Sequence, residues 1–300
     1  DRRPADAQDG DAPPPAPAPA SAGADDSDDS ELRERQAILA VASTEERLHD
    51  MSFAELSPDE ISDVRALVRQ ITLSTPLRVS RRSRRSARSN APLDLRRTVR
   101  AAQRTAGDPL RIVYARRRLH QRRLVLLCDV SGSMEPFTRV FLSLLQGAVA
   151  DARAEAFVFS TRLTRLTRQL AVRDPTQALE RAAASTSDWA GGTRLAMSIR
   201  SFVDEHGRRG LARGAVIVIL SDGWAQDDPE QVAIQMARLK RLAYRIVWVN
   251  PRKAALNYQP LVGGMAAALP YCDAFVSGHS YAALAEVATA IRAPRAPGRA

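Results

Sequence analysis

The sequence predicts an α/β protein built on a doubly wound, mostly parallel sheet. From residue 124 onward, short apolar runs alternate with longer segments of helical periodicity. Alternation of this kind places helices on both faces of a parallel sheet. The apolar runs are nearly continuous, as expected of strands that are buried on both faces. Two of them end in loops rich in Ser, Asp and Gly, and open α/β sheets bind their ligands at the carboxyl ends of strands.

The alternation continues to about residue 292, and we assign 124–292 to one domain. Strands are predicted at 124–129, 154–160, 215–221, 244–249 and 273–276, with a short edge strand near 163–170. Helices are predicted at about 136–151, 176–184, 194–206, 229–241 and 280–291. The Pro- and Arg-rich tail 293–300 is predicted to be loose.

Two segments of different composition begin the chain. Residues 1–30 are rich in Pro, Ala and Asp, which predicts a disordered acidic tail because such a composition cannot bury a core. Residues 31–77 are predicted to form a helical region, with a first helical pattern over 31–50. These two segments together carry 7 Arg and 17 acidic residues, a net charge of −10.

A second helix in this region is predicted to begin at Ser57. Ser57 is a preferred capping residue, Pro58 suits the first helical position, and Glu60 completes a capping box. The helix is expected to end before Pro76. Its apolar face is predicted to consist of Ile61, Val64, Leu67, Val68 and Ile71.

An Arg-rich segment, 78–123, leads into the sheet domain. It carries 16 Arg and 2 Asp, a net charge of +14, whereas the whole chain has +10. One interpretation is a solvated basic linker, and another is a surface that binds phosphates. No aromatic residue lies between Phe53 and Tyr114, so a platform for stacking bases is not indicated. Docking to an acidic protein surface, or to the chain's own acidic tail, is favoured over specific nucleic-acid binding.

The strand-end loops carry oxygen donors at a characteristic spacing. Asp129, Ser131 and Ser133 follow the apolar run that begins at 124, Thr193 follows two glycines, and Asp222 follows the apolar run 216–220. Hydroxyl and carboxylate oxygens from three such loops suit Mg²⁺ or Mn²⁺ rather than zinc. The glycine between the two serines is expected to let the backbone bend close to an ion.

This constellation resembles the metal-ion-dependent adhesion site of von Willebrand factor A (VWA) domains. The resemblance implies that Ser131, Ser133 and Thr193 are direct ligands of the metal, and that Asp129 and Asp222 act mostly through waters. It also implies an open coordination position, which a carboxylate from a partner protein completes. The fold implied is the VWA, or Rossmann-like, form of the doubly wound sheet.

Further segments resemble the bacterial CoxE-like branch of that family over roughly 78–292. CoxE-like proteins are cytoplasmic accessory proteins, typically linked to MoxR-type AAA+ ATPases and to maturation of molybdenum hydroxylases such as carbon monoxide dehydrogenase. The resemblance therefore implies an ATPase partner and a client metalloenzyme. A cysteine stands at position 128, where an aliphatic residue is commoner. The segments that carry the likeness are Leu93–Thr98, Ser131–Met134, Gly191–Arg194, Ser221–Trp224, Asn250-Pro251, Gly264-Met265, Leu269-Pro270 and Gly278–Ser280.

Catalytic alternatives lack their signatures, so the chain is predicted not to be an enzyme. An aspartyl-phosphate phosphatase would need a second Asp where Ser131 stands, and a G-x-S-x-G serine elbow is absent around that residue. His279 is the one histidine in a strand-end loop, and it is predicted to cap the last helix with Ser280. Trp189 and Trp224 are predicted either to pack in the core or to form an aromatic rim at the metal site. The alternative function is a nucleic-acid-associated protein that binds through the Arg-rich segment.

Cysteine content and hydropathy indicate the cellular compartment that is expected for this protein. Cys128 and Cys272 are far apart in sequence and are predicted to be small buried residues rather than a disulfide. No run of about 18 apolar residues is present, so the sequence predicts no membrane-spanning helix. The chain, which begins with Asp1, has no visible signal peptide, and the cytoplasm is the expected location.

Overall fold

The computed structural model describes residues 47–69, 71, 73–105, 107–108, 111–172, 177, 180–181, 192–255, 259 and 263–294. These residues belong to one compact unit that begins at Arg47. The predicted acidic tail 1–30 lies outside the described residues. So do most of the helices predicted at 31–50 and 176–184 and most of the predicted loose tail 293–300.

The described secondary structure follows the alternation of the sequence. The strands are β1 (Leu77–Ser86), β2 (Tyr114–Gln121), β3 (Leu124–Asp129), β4 (Glu155–Phe159), β5 (Leu163–Arg165), β6 (Val216–Leu220), β7 (Arg245–Asn250) and β8 (Ala274–Ser277). The helices are α1 (Pro58–Arg69), α2 (Leu95–Ala102), α3 (Glu135–Ala152), α4 (Thr167–Leu170), α5 (Leu195–Ser201), α6 (Pro229–Leu242), α7 (Gly263–Ala268) and α8 (Tyr281–Arg292).

Strands β3 to β8 form one sheet in the order β5-β4-β3-β6-β7-β8. All neighbours are parallel except β5, which runs antiparallel to β4 at the edge. The chain leaves β3 on one side to form β4 and later returns on the other side to form β6. The carboxyl ends of β3 and β6 therefore lie next to each other, with Cys128 opposite Leu220. Such a reversal of strand order is where doubly wound sheets open a crevice.

Helices cover both faces of this sheet, which explains the continuous apolar runs. Leu124, Leu126 and Cys128 of β3 enter a core that they share with α3 and α8. Val125 and Leu127 enter a second core, on the opposite face, with α5 and α6. Every residue of β3 is buried, as expected for a strand between two helical layers. The predicted doubly wound, mostly parallel α/β fold is confirmed.

Two elements depart from the predicted bounds. The edge strand expected near 163–170 ends at Arg165, and α4 begins at Thr167. The reason is that the Thr167 hydroxyl accepts a hydrogen bond from the Ala156 amide at 3.0 Å and donates to Glu155 Oε2 at 2.9 Å. The helix predicted at 194–206 continues beyond α5 as a π-helical stretch, Phe202–Leu211, that contains Gly210 with φ of 120°.

Helix α1 has the predicted cap and joins the core of the sheet domain. The Ser57 amide donates to Glu60 Oε2 at 2.9 Å, and the Glu60 amide faces Ser57 Oγ at 3.4 Å. The Ser57 amide and the neighbouring Arg47 guanidinium lower the pKa of Glu60 to about 2. Val64 and Val68 are buried in the same core as α3.

The Arg-rich segment, for which the sequence predicted no secondary structure, forms an arm with regular elements. Strands β1 and β2 pair antiparallel as a separate two-stranded sheet, and α2 lies between them in sequence. We call residues 77–121 the basic arm. Its base is fixed by Arg122, whose amide donates to Pro76 O at 3.1 Å and whose guanidinium lies 3.5 Å from the Tyr244 ring centre.

The structure bears on two further expectations, one about the cysteines and one about membrane-spanning helices. Cys128 and Cys272 are both free thiols, and burial raises the pKa of the Cys272 thiol to about 12. Among the described helices, none combines the length and the apolarity that crossing a membrane requires.

Candidate metal centre

Asp129, the last residue of β3, is the point where three loops meet. Its carboxylate is fully buried. The Ser131 amide donates to Oδ1 at 3.0 Å, and the Ser221 hydroxyl donates to Oδ2 at 2.7 Å. The Thr193 hydroxyl lies 3.4 Å from Oδ1. One carboxylate thus connects the loops that follow β3 and β6 and the loop that precedes α5.

Ser131 and Ser133 lie on the tight turn between β3 and α3. Their hydroxyl oxygens are 3.3 Å apart, and a short 3₁₀ turn, Gly132–Met134, leads directly into the helix. The expectation that Gly132 is needed for a sharp bend is not supported. Gly132 does not have a positive φ, and a Cβ atom built there meets nothing within 4 Å.

Thr193 is held by the loop that follows β6. The Gln226 amide donates to Thr193 O at 2.9 Å, and the Asp227 carboxylate accepts from the Ala196 amide at 2.9 Å in the first turn of α5. Gly192 packs against the same loop so closely that an added Cβ would lie 1.9 Å from Gln226 Nε2. The glycine before Thr193 therefore leaves room for the Gln226 side chain in this position.

Asp222 follows β6 and is 4 % exposed. Its Oδ1 accepts from the Trp224 amide at 3.0 Å. Its Oδ2 is buried and has no hydrogen-bond partner among the described residues, although Nε of Arg252 lies 3.4 Å away as a charged neighbour. Gly223 has φ of 80°, and a Cβ there would lie 2.7 Å from Met265 Cβ. The turn after Asp222 therefore needs glycine both for its backbone conformation and for its packing.

The end of β7 and the loop after it supply two residues that the sequence did not assign to the site. The buried Asn250 donates from Nδ2 to Asp222 O at 3.0 Å and accepts at Oδ1 from the Arg252 amide at 2.8 Å. The Arg252 guanidinium also donates to Ser133 O at 3.0 Å. Arg252 thus links the two halves of the site. Asn250 was noticed only as part of a family resemblance, and no local signal marks Arg252, whose partners are remote in sequence.

Ser221 was also missed. Its hydroxyl donates to Asp129 and accepts from the Gly223 amide at 3.0 Å, and its carbonyl accepts from Trp248 Nε1 at 2.9 Å. A hydroxyl directly before Asp222 at a strand end was the available signal. The pairing of β3 with β6 puts Ser221 beside Asp129, and this pairing follows from strand order rather than from local sequence.

The electrostatics of the site favour a bound cation. Burial, with a smaller contribution from the negative charge of Asp222, raises the pKa of Asp129 to about 6 against the lowering effect of hydrogen bonds from Ser131 and Ser221. Two buried carboxylates are costly without sufficient positive charge nearby, and the half-exposed Arg252 guanidinium is the charged neighbour that Asp222 Oδ2 has among the described residues. Side-chain hydroxyls of Ser131, Ser133 and Thr193 adjoin them. These residues fit a hard divalent cation such as Mg²⁺.

The described residues offer no comparable set of ligands for a softer metal such as zinc. Among the described residues, no group of three or more His, Cys, Asp and Glu side chains is placed to hold a metal. His279 pairs with the Ser277 hydroxyl at 2.8 Å, and Ser280 caps α8 through the Ala283 amide. The site is therefore built from hydroxyls and carboxylates.

Large apolar side chains are exposed near the strand-end loops. Trp224 is 63 % exposed and Met197 is 50 % exposed. Trp224 follows Asp222 by two residues, and Met197 lies one turn into α5 after Thr193. Trp224 therefore does not pack in the core, which leaves the rim interpretation for this residue. Trp189 lies outside the described residues.

A comparison with family models finds one that covers most of the chain. The family described as "VWA domain containing CoxE-like protein" matches residues 64–284. A search of curated proteins finds no match.

Solved structures with similar folds include a von Willebrand factor type A protein from Catenulispora acidiphila, with 14 % identity, a TM-score of 0.41, and coverage of 59 % of this chain and 43 % of that one. Manganese-loaded TRAP protein from Plasmodium vivax has 18 % identity, a TM-score of 0.39, and coverage of 57 % and 72 %. Proximal thread matrix protein 1 from the mussel byssus, with a zinc-occupied MIDAS motif, has 15 % identity, a TM-score of 0.37, and coverage of 59 % and 48 %. The chain thus spans less than half the length of the first and third of these, and likeness at this level carries no information about function.

Proposed function

Because this chain belongs to the family of VWA domain containing CoxE-like proteins, we propose that it is a non-catalytic adaptor that binds a partner protein through a divalent cation. The observation that carries the proposal is the buried Oδ2 of Asp222, which accepts no hydrogen bond among the described residues, beside a second buried carboxylate, Asp129. A cation at this edge of the sheet would satisfy both groups. Mg²⁺ or Mn²⁺ suits the oxygen donors present.

Each site residue has a proposed role. Ser131, Ser133 and Thr193 would hold the cation through their hydroxyls, and Asp129 and Asp222 would support it through hydrogen bonds and charge. The bound cation supplies a positive charge that neutral hydroxyls leave largely uncompensated. That charge favours one further anionic oxygen, and a Glu or Asp side chain of a partner protein is the natural source.

The surroundings of the site suit a protein partner. The exposed side chains of Trp224 and Met197 provide apolar contact area beside the cation. Aromatic anchors near a charged centre are typical of the residues that dominate binding energy in protein interfaces. We expect the partner to place its carboxylate at the cation and apolar side chains against Trp224.

The finer assignment rests on the family. CoxE-like proteins are associated with MoxR-type AAA+ ATPases, so we propose that the partner is such an ATPase, and that the pair acts in the cytoplasm on a client metalloenzyme. The client would be a molybdenum hydroxylase of the carbon monoxide dehydrogenase type. An adaptor role needs no catalytic base.

Co-purification with the MoxR-type ATPase of the same organism tests the proposal. Binding is expected with Mg²⁺, to be lost in EDTA, and to return when Mg²⁺ is added. Thr193→Ala and Asp222→Ala should both abolish it, because each removes a group that holds or supports the cation. Thr289→Ala, on the exposed face of α8, is the matched control.

Calorimetry of each variant with Mg²⁺ alone separates the two parts of the proposal. Cation binding without capture of the ATPase would leave the metal site standing and reject this partner. Capture that persists in EDTA and in both site variants would reject the cation-dependent mechanism itself.

A further inference from the structure

Exposed apolar side chains are concentrated on the basic arm. Of the ten large apolar residues that the described surface exposes, seven lie on the arm and are between 49 % and 66 % exposed. They occur within 45 residues that also carry most of the chain's excess positive charge. Exposed apolar clusters of this kind usually mark a binding surface. The seven are Leu77, Val79, Leu93, Leu95, Val99, Ile112 and Leu119.

A groove near α2 combines the two properties. It has a volume of about 480 Å³, and Pro92, Leu93 and Leu95 provide its apolar lining. Three arginines also line it, Arg96, Arg116 and Arg117. Asp94, the one acidic residue in the lining, accepts from the Arg97 amide at 3.2 Å as the cap of α2 and is paired with the Arg97 guanidinium at 3.4 Å. The positive charge of the groove therefore remains available to an anionic ligand.

The paired strands of the arm place like side chains directly opposite each other. Val79 lies opposite Leu119, and Leu77 shares that face. Arg84 lies directly opposite Arg116 on the other face. Like charges in directly opposed positions destabilise a strand pair, and an isolated two-stranded ribbon is only marginally stable. An acidic, partly apolar partner would neutralise the opposed arginines and would add contacts that stabilise the two-stranded ribbon.

We propose that the basic arm is a docking surface for an acidic amphipathic segment of a partner protein. Its apolar side chains would enter the groove between Leu93 and Leu95, and its carboxylates would pair with Arg96, Arg116 and Arg117. An acidic partner is favoured by charge complementarity, since the arm has 14 Arg and 2 Asp. Contact between the arms of two copies of the chain is disfavoured because two such arms repel each other.

Other polyanions match the arm less well. Phosphate backbones offer no apolar surface for the exposed leucines, and Tyr114, the one aromatic residue of the arm, is half-buried at the end of β2, so base stacking has no platform. Anionic membranes attract basic surfaces, but interfacial anchoring draws on exposed aromatic side chains, which the described arm lacks. Strands β1 and β2 form a sheet separate from the one that carries the metal centre, and the inference does not rest on the proposed function.

Four probes test the inference on the full-length protein by fluorescence anisotropy, or co-sedimentation for vesicles, at about 0.15 M salt. The first is a synthetic helical peptide of about 20 residues with Leu on one face and Glu on the other. The others are poly-glutamate of the same length, a DNA duplex, and vesicles of phosphatidylglycerol and phosphatidylcholine. We expect the amphipathic peptide to bind about 10-fold more tightly than poly-glutamate, because it also buries apolar surface.

Paired variants assign that binding to the groove. The double variant Arg116→Glu/Arg117→Glu should weaken peptide binding by about 10-fold or more through charge reversal. Leu93→Ser/Leu95→Ser should weaken it by about 10-fold through lost apolar contact. Arg241→Glu and Ile234→Ser, exposed residues of α6 on the sheet domain, are matched controls and should bind the peptide as the parent protein does. Circular dichroism checks that every variant is folded.

Three outcomes would overturn the inference. Equal binding of the two peptides with no effect of the leucine variant would reduce the arm to a general electrostatic surface. Tighter binding of the duplex or of the vesicles than of the amphipathic peptide would assign the arm to nucleic acid or to a membrane. Absence of binding by any probe would show that the exposed groove is not a docking surface.

Discussion

The metal centre and the basic arm lie on strands that differ in almost every respect. All residues of β3 are buried between two helical layers, whereas β2 has one buried residue, Ala115. The centre collects acidic groups and hydroxyls at the end of a rigid sheet, and the arm presents arginines and leucines to solvent. The difference teaches that this chain separates the scaffold that fixes a site from a surface free to meet a partner. Substitutions of the same type in the two regions should therefore have unequal effects.

Removal of a leucine side chain gives the largest expected contrast. Leu126→Ala in β3, at a position that is 0 % exposed, should lower the free energy of unfolding by about 2–5 kcal/mol because it leaves a cavity in close-packed surroundings. Leu119→Ala in β2, at a position that is 60 % exposed, should change it by about 0.5 kcal/mol or less. Urea unfolding of both variants measures the difference. Similar losses would mean that the arm is packed against a further part of the chain.

Removal of a serine hydroxyl should give a smaller contrast. Ser221→Ala takes away a 2.7 Å hydrogen bond to the buried carboxylate of Asp129, and an unsatisfied buried acceptor costs about 1–3 kcal/mol. Ser86→Ala in the arm removes a hydroxyl that accepts from the Arg88 amide at 3.1 Å in an exposed setting, and about 0.5 kcal/mol or less is expected. Thermal unfolding of the pair compares them. A Ser221 variant as stable as the parent would show that Asp129 finds another donor.

The contrast between the buried sheet and the exposed arm also explains which elements the sequence could predict. The continuous apolar run of β3 gave its bounds without error, since Leu124–Asp129 is where the strand was expected. The strands of the arm were missed because Arg and Ser alternate there without an apolar period. The five proposed ligands and supports were found from their spacing, and their metal-binding role stays a prediction. Arg252 was missed because its contact with Ser133 joins residues 119 positions apart, and only the folded sheet brings them together.

Metal affinity should depend on the centre and not on the arm. Thr193→Val keeps the size of the side chain but removes the hydroxyl that lies 3.4 Å from Asp129 Oδ1. We expect about a 10-fold or greater loss of Mg²⁺ affinity, because losing a direct ligand should cost at least as much as losing a residue that only supports the ligands. Thr105→Val, at an exposed position of the arm, should have no effect. Calorimetric titration with Mg²⁺ decides the matter, and equal affinities for the two variants would refute the site.

The smallest expected effect concerns Arg252 and has the opposite sign. Its guanidinium Nε lies 3.4 Å from Asp222 Oδ2, and its side chain is 49 % exposed. A positive charge at that distance competes with a cation for the same carboxylate, but the Arg252 side chain is half-exposed, and solvent screening keeps its contribution to about 1 kcal/mol or less. Arg252→Ala should therefore raise Mg²⁺ affinity by about 5-fold at most.

Two further variants show whether charge is the cause. Arg252→Lys keeps the charge and should leave the Mg²⁺ affinity near that of the parent protein. Arg118→Ala, on the exposed part of β2, should leave it unchanged because Arg118 makes none of the contacts that build the site. A fall in affinity for Arg252→Ala would mean that the hydrogen bond from Arg252 to Ser133 O holds the serine turn in place for the cation. Arg252 would then be a positioning residue rather than a competitor, and the titration separates the two roles by the sign of the change alone.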